Sequence, residues 1–89
     1  IDKDVQSSVY PNPVSDNSLI TFNNKINFNG SASLRIFDIL GNEVSKEICF
    51  VKSDTRNIPL NRKELPTGLY MYRVENDNST ITSGKFLIN

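Results

Sequence analysis

Eighty-nine residues carrying ten acidic and ten basic side chains, a single cysteine and neither histidine nor tryptophan leave room for one modest core. Balanced charge supplies no long-range field to gather nucleic acid or an anionic membrane, and a domain this small has no depth for a large substrate cavity. The commonest general base near neutral pH is missing with histidine, and Cys49 has no second thiol or histidine to close a disulfide or a metal site, so it reads as a small hydrophobe.

No apolar run approaches the ~20 residues of a membrane-spanning helix, so no direct membrane insertion is expected. Residues 1–8 are polar and unpatterned, in keeping with a linker remnant from a longer protein, and residues 9–89 form the folded domain. In Val9-Tyr10-Pro11-Asn12-Pro13-Val14 the prolines lack amide donors and hold their predecessors extended. That stretch fits only an edge strand or an extended lead-in, anchored by Tyr10 and Val14. Ser15 to Ser18 is turn chemistry, and Leu19 to Phe22 reads as a strand. Asn23 to Ser31 reads as a loop holding an irregular strand, with Ile26 and Phe28 as its apolar anchors.

Ala32 to Phe37 alternates cleanly, with Ala32, Leu34 and Ile36 inward and Ser33 and Arg35 outward. Asp38-Ile39-Leu40-Gly41-Asn42 is the best hairpin connection in the chain, because its Gly-Asn pair tolerates left-handed geometry. Glu43 to Val51 returns as a strand of mixed parity. Val44, Ile48 and Phe50 fall on one face, Cys49 and Val51 on the other, a conflict that a bulge near Ser45 to Glu47 would reconcile. Lys52 to Thr55 turns, and Arg56 to Leu60 is a short strand with Ile58 and Leu60 inward and Pro59 confining it to an edge. Asn61 to Glu64 suits a single helical turn.

Leu65-Pro66-Thr67-Gly68-Leu69-Tyr70 then makes a corner into a strand. Leu65 plugs the core, Gly68 turns the chain, and the Tyr70 hydroxyl reaches a backbone group a few residues upstream. Tyr70, Tyr72 and Val74 share the core face. Asn76 to Ser79 makes a tight turn, and Thr80 to Asn89 closes the chain in two pieces broken at Gly84, with Phe86 and Ile88 inward. About seven short strands separated by turn signals predict an all-β, immunoglobulin-like antiparallel sandwich, with a small Greek-key barrel as the alternative.

Catalytic, cofactor and metal residues do not emerge. The carboxylate pairs Asp38 with Glu43 and Asp2 with Asp4 have no glycine-rich loop or pocket behind them and read as solvated turn residues. Asp54 with Asp77 and Asn78 matches no calcium-loop spacing. Tyr70 and Tyr72 could stack a sugar, but their same-face alternation makes them core residues first.

Four fragments in order carry a further signal: Tyr10-Pro11-Asn12-Pro13; Leu34-x-Ile36-x-Asp38-x-x-Gly41-x-x-Val44; Leu65-Pro66-Thr67-Gly68-Leu69-Tyr70-x-Tyr72-x-Val74; and Gly84-Lys85-Phe86-Leu87-Ile88. Together they resemble the type A C-terminal sorting domain of the type IX secretion system over about residues 9 to 89. The resemblance implies an immunoglobulin-like sandwich that is a substrate of the secretion machinery and not a catalyst. It implies an upstream cargo domain, an outer-membrane translocon and β-barrel shuttle protein that recognise the domain in the periplasm, and a surface sortase that cuts the linker. The parent protein would pass through the periplasm and end at the cell surface or secreted, with no cofactor. Carried onto this chain, the recognition positions are Pro11, Asn12 and Pro13, Gly68 and Tyr70, and Gly84, Lys85, Phe86, Leu87 and Ile88. The uncharged Leu87-Ile88-Asn89 departs from the pattern, which often has a second basic residue there. One mechanism has Gly84 to Asn89 peel away and add as a strand to a receptor, with Lys85 steering. Two other readings stay open: a carbohydrate-binding or adhesive Ig-like accessory module, whose exposed aromatics would be Phe28, Phe37 and Phe50, and an inert spacer.

Overall fold

The computed structural model describes residues 5–26, 28–77 and 79–89. Seven strands are present: β1 (Ser7–Tyr10), β2 (Ser18–Phe22), β3 (Gly30–Phe37), β4 (Glu43–Val51), β5 (Asn57–Leu60), β6 (Gly68–Asn76) and β7 (Ser79–Ile88). They pair antiparallel into a three-stranded sheet, β1-β2-β5, and a four-stranded sheet, β4-β3-β6-β7. This is the immunoglobulin arrangement with the fourth strand beside β3 instead of beside β5. The sheets stay separate, so the architecture is a sandwich and not a closed barrel. β1 begins at Ser7, two residues before the boundary drawn from the sequence.

Alternation builds the core. Ile20 and Phe22 of β2, Ile58 and Leu60 of β5, Ala32, Leu34 and Ile36 of β3, and Tyr70, Tyr72 and Val74 of β6 are buried and form one cluster with Phe86 and Ile88. Pro59 lies on an edge, as its missing amide requires. The corner forms as expected: the Tyr70 hydroxyl donates to the Pro66 carbonyl at 2.6 Å, and its ring stacks on Phe86 with centroids 5.6 Å apart. Leu65 is only partly buried, packed against the cluster. Asn61 to Glu64 does not form a helical turn. Lys63 takes φ 56°, which ends any right-handed coil, and the segment is a simple turn closed by the Leu65 amide on Arg62.

Four further expectations need correction. Tyr10 anchors nothing and is 78% exposed, because Ser7 and Val9 take the inward parity of β1. Residues 23–26, 28 and 29 form no strand, although Ile26 plugs the core at 1% exposure. In β4 the buried face belongs to Cys49 and Val51, with Ile48 and Phe50 turned outward. The register shift falls at Val44, next to Phe37, and not between Ser45 and Glu47. Finally, β7 is a single strand that runs through Gly84 without a break. Its irregularity lies at Ile81, where two consecutive residues, Ile81 and Thr82, both face the core.

Gly84 is present for close approach. A Cβ there would lie 2.5 Å from the Tyr72 hydroxyl and 2.7 Å from Cζ, so the ring occupies the space a side chain would need. That hydroxyl belongs to a buried chain. Thr82 Oγ1 donates to the Val5 carbonyl (2.5 Å), which spends its only proton; Ser7 Oγ must then donate to Thr82 (2.6 Å), and Tyr72 to Ser7 (2.7 Å). Burial pushes the Tyr72 phenol up, partly offset by its bond to Ser7.

Gly84→Ala is expected to cost about 1–3 kcal/mol, because a hydrogen-bonded, close-packed ring has no room to retreat. Tyr70→Phe, which strands the Pro66 carbonyl, costs about 1 kcal/mol. Urea midpoints of the two variants check both, and wild-type midpoints would remove these contacts from the account.

Candidate recognition surface

The three outlying signatures meet at one end of the sandwich. Asn12 Oδ1 accepts the Leu87 amide at 2.9 Å, and the Val14 amide donates to the Leu87 carbonyl at 2.7 Å. Pro11, half-buried, offers its carbonyl to Ser18 Oγ (2.9 Å), which is fully buried and also accepts the Ser15 amide. Pro13 is exposed beside them, and both X-Pro bonds, Tyr10-Pro11 and Asn12-Pro13, are cis. On the other side of β7, Gly68 pairs with Ile88, Leu69 with Leu87, and Tyr70 with Phe86. The Pro-Asn-Pro segment, the corner and the last strand are therefore one constellation around Leu87.

Within it the residues divide by role. Tyr70, Phe86 and Ile88 are core, and Gly84 is a packing position, so none of them presents a side chain to a partner. Lys85 and Leu87 face outward, with Leu69 beside Leu87. Because Leu87 turns its amide and carbonyl away from β6, alternation turns those of Lys85 and Ser83 the same way. One clamp lies beyond each end of this pair: Asn12 and Val14 at Leu87, and the Val5 amide on the Ile81 carbonyl at 2.7 Å. The open part of the edge is Ser83 to Lys85.

Residues 8–89 match the family of secretion system C-terminal sorting domains. The chain belongs to that family. It is a C-terminal sorting signal of the type IX secretion system, involved with that system's machinery and directing export across the outer membrane toward the cell surface or secretion. Sorting domains are non-catalytic in general. No curated protein matches the chain.

Beside the open edge of the sorting domain lies a shallow groove of about 680 Å³ lined by Phe37, Met71, Arg73, Ser83, Gly84 and Lys85. Two guanidinium groups lie over the Phe37 ring, Arg35 at 5.1 Å and Arg73 at 4.9 Å from its centroid. Arg35 bonds Glu43 (2.6 Å) and Glu75 (3.1 Å), and Arg73 pairs with Glu75. Burial works against the charged Glu75 carboxylate, but Arg35 and Arg73 more than offset it and hold its pKa low. Two arginines and two glutamates cancel, which leaves Lys85 as the uncompensated charge of the groove.

The remaining candidates disperse. Asp38 does not face Glu43; its Oδ1 accepts the amides of Leu40 and Asn42, both at 2.9 Å, while Glu43 is held by Arg35. Asp2, Asp4 and Asn78 lie outside the described residues. Among the described residues no three His, Cys, Asp or Glu groups converge on a metal position. The aromatics form no strip: Phe28 covers Gly30, Phe50 stands on β4 opposite Ser31, and Phe37 is six residues further along β3, about 20 Å away. Sequence reasoning missed the Tyr72–Ser7–Thr82 chain and the Asn12–Leu87 bond. Local pattern signals neither, since each joins residues 65 or more apart.

Asn12→Ala would leave the Leu87 amide unpaired. The expected cost is about 1 kcal/mol, with faster hydrogen exchange at Leu87 as the local mark. Asp38 gives a pH test. The Asn42 amide is the largest influence holding its pKa below the ordinary 3.8. The turn's contribution is therefore complete above the unfolded-state pKa and fades as pH falls through the lower folded one. Leu40 and Asn42 amide shifts should titrate below 3.8; an ordinary midpoint would contradict the bonding.

Proposed function

We propose that the machinery reads the folded domain at the open edge of β7, between the clamps at Ile81 and Leu87, by adding a strand to the Ser83 and Lys85 backbone. The outer-membrane translocon and its β-barrel shuttle protein supply that strand in the periplasm, and Lys85 steers it toward an acidic or carbonyl-rich partner. The observation that carries this reading is the convergence of the Pro-Asn-Pro segment, the corner and the last strand on Leu87. Reading in place replaces peeling of Gly84 to Asn89, because detachment would expose Phe86 and Ile88, at about 1.5–3 kcal/mol for each. The domain itself catalyses nothing. Pro11, Asn12 and Pro13, with Gly68 and Tyr70, act by holding the edge in shape, and Lys85 and Leu87 make contact.

An upstream cargo domain is joined to the sorting domain by a linker on the N-terminal side of Val5, and a surface sortase removes the domain after export. The Val5 amide on Ile81 and Ser7 in the buried hydroxyl chain support a cut on the N-terminal side of Val5, since those bonds would have to break for a protease to reach further.

A reporter fused ahead of residues 1–89 in a competent host should reach the surface or the medium. Ser83→Pro removes an outward amide without touching the β6 ladder, and Lys85→Glu reverses the steering charge. Both should melt within about 0.5 kcal/mol of wild type yet retain the reporter in the cell. Normal delivery by both would remove the edge reading, and failure of the unmodified fusion would remove the sorting role in this host.

A further inference from the structure

The open edge of β7 is shorter than strand pairing ordinarily uses. Only Ser83 and Lys85 turn free backbone groups outward between the clamps, whereas strands commonly run about 5–6 residues. The next outward group toward the start of β7 is the Ile81 carbonyl, which the Val5 amide holds at 2.7 Å. With Val5 withdrawn, the edge runs from Ile81 to Lys85 and reaches the common length.

The two clamps are held with different firmness. At Leu87, Asn12 and Val14 belong to the connection between β1 and β2, and Val14 is buried. At Ile81, Val5 precedes the first strand and is only partly buried against the core. Three bonds fasten Val5 and Gln6: the Val5 amide on Ile81, Thr82 Oγ1 on the Val5 carbonyl (2.5 Å), and the Asn23 amide on the Gln6 carbonyl (2.8 Å). Ser7, the next residue, already belongs to β1 and pairs with Phe22. Release of Val5 and Gln6 therefore has a natural stop, with β1 still on β2 and Tyr72 still bonded to Ser7.

We propose that Val5 and Gln6 form a strap that competes with the incoming partner strand for the β7 edge. This rests on the edge reading above and supplies its regulation. Strapped, the domain presents two outward residues and resists stray pairing. As the partner strand zips from Lys85 toward Ile81, its amide replaces that of Val5 on the Ile81 carbonyl and the strap lifts. One donor is exchanged for another on the same acceptor, so the step stays near balance. By linkage, whatever loosens the strap strengthens reading of the edge, and an occupied edge frees the strap.

Hydrogen exchange of the 89-residue chain and pulse-chase export of the reporter fusion test the strap together. Val5→Pro removes the amide on Ile81, and Val5→Ala trims the packing but keeps the amide. Either should speed exchange at the Asn23 amide about 2- to 10-fold, the effect of roughly one net hydrogen bond. The neighbouring Phe22 amide, bonded to the Arg56 carbonyl, should keep its wild-type rate. Both variants should raise the initial rate of export by a similar factor, and Ser83→Pro should still block export when combined with Val5→Pro. Asn23 exchange that neither variant alters overturns the strap, as does Phe22 exchange that rises in step with it in both, which marks global loosening. Faster Asn23 exchange with unchanged or slower export also overturns it, while the edge reading survives if Ser83→Pro alone retains the reporter. Normal delivery by the Ser83→Pro fusion removes the edge reading and the strap with it.

Discussion

The Tyr72 hydroxyl is the constraint on which the rest of the sandwich depends. A phenol at 2% exposure needs a polar partner, and it finds one in Ser7, at the far end of the chain. The consequences spread in both directions. The ring lies where a side chain on residue 84 would stand, so that position must be glycine. The proton order from Tyr72 through Ser7 and Thr82 to the Val5 carbonyl ties the first strand to the last. β1 is consequently held against β7, and the N-terminal segment closes one side of the sandwich.

That closure decides which parts of the surface remain available. A last strand on a sheet edge would normally present its whole length to any passing chain. Here Val5 takes one point of the edge and Asn12 with Val14 another, so the accessible backbone shrinks to Ser83 and Lys85. A short edge, bounded at both ends and carrying one uncompensated cation, can select a partner while discouraging indiscriminate pairing. The neighbouring groove serves the same end, because Arg35, Arg73, Glu43 and Glu75 cancel around Phe37 and leave the charge pattern to Lys85. On the edge reading proposed above, sorting depends on the folded shape more than on a linear motif.

Much of this was legible in the chain itself. Alternation placed the inward residues of β3 and β6, Pro59 assigned β5 to an edge, and the Leu-x-x-Gly-x-Tyr spacing led to the Tyr70 bond on Pro66. Those successes share a cause: each depends on neighbours within a few residues, where pleat geometry and turn chemistry act. The misplacements share one too. In β4 both parities contain apolar residues, and only the packing of β3 against it chose Cys49 and Val51 for the core. Gly84 looked like a break because a strand glycine often is one, and only the Tyr72 ring gives its actual role.

The amino-acid order by itself determined the fold class, the positions of most of the strands and the family, since period-two alternation, turn residues and motif spacing are local properties. It could not determine that Asn12 would hold Leu87 or that Ser7 would hold Tyr72, because nothing local distinguishes those polar side chains from the exposed ones around them. The tertiary structure decided them: once two sheets close over a common core, polar groups caught at their seam must find partners there, and the partners that geometry offers lie at opposite ends of the chain.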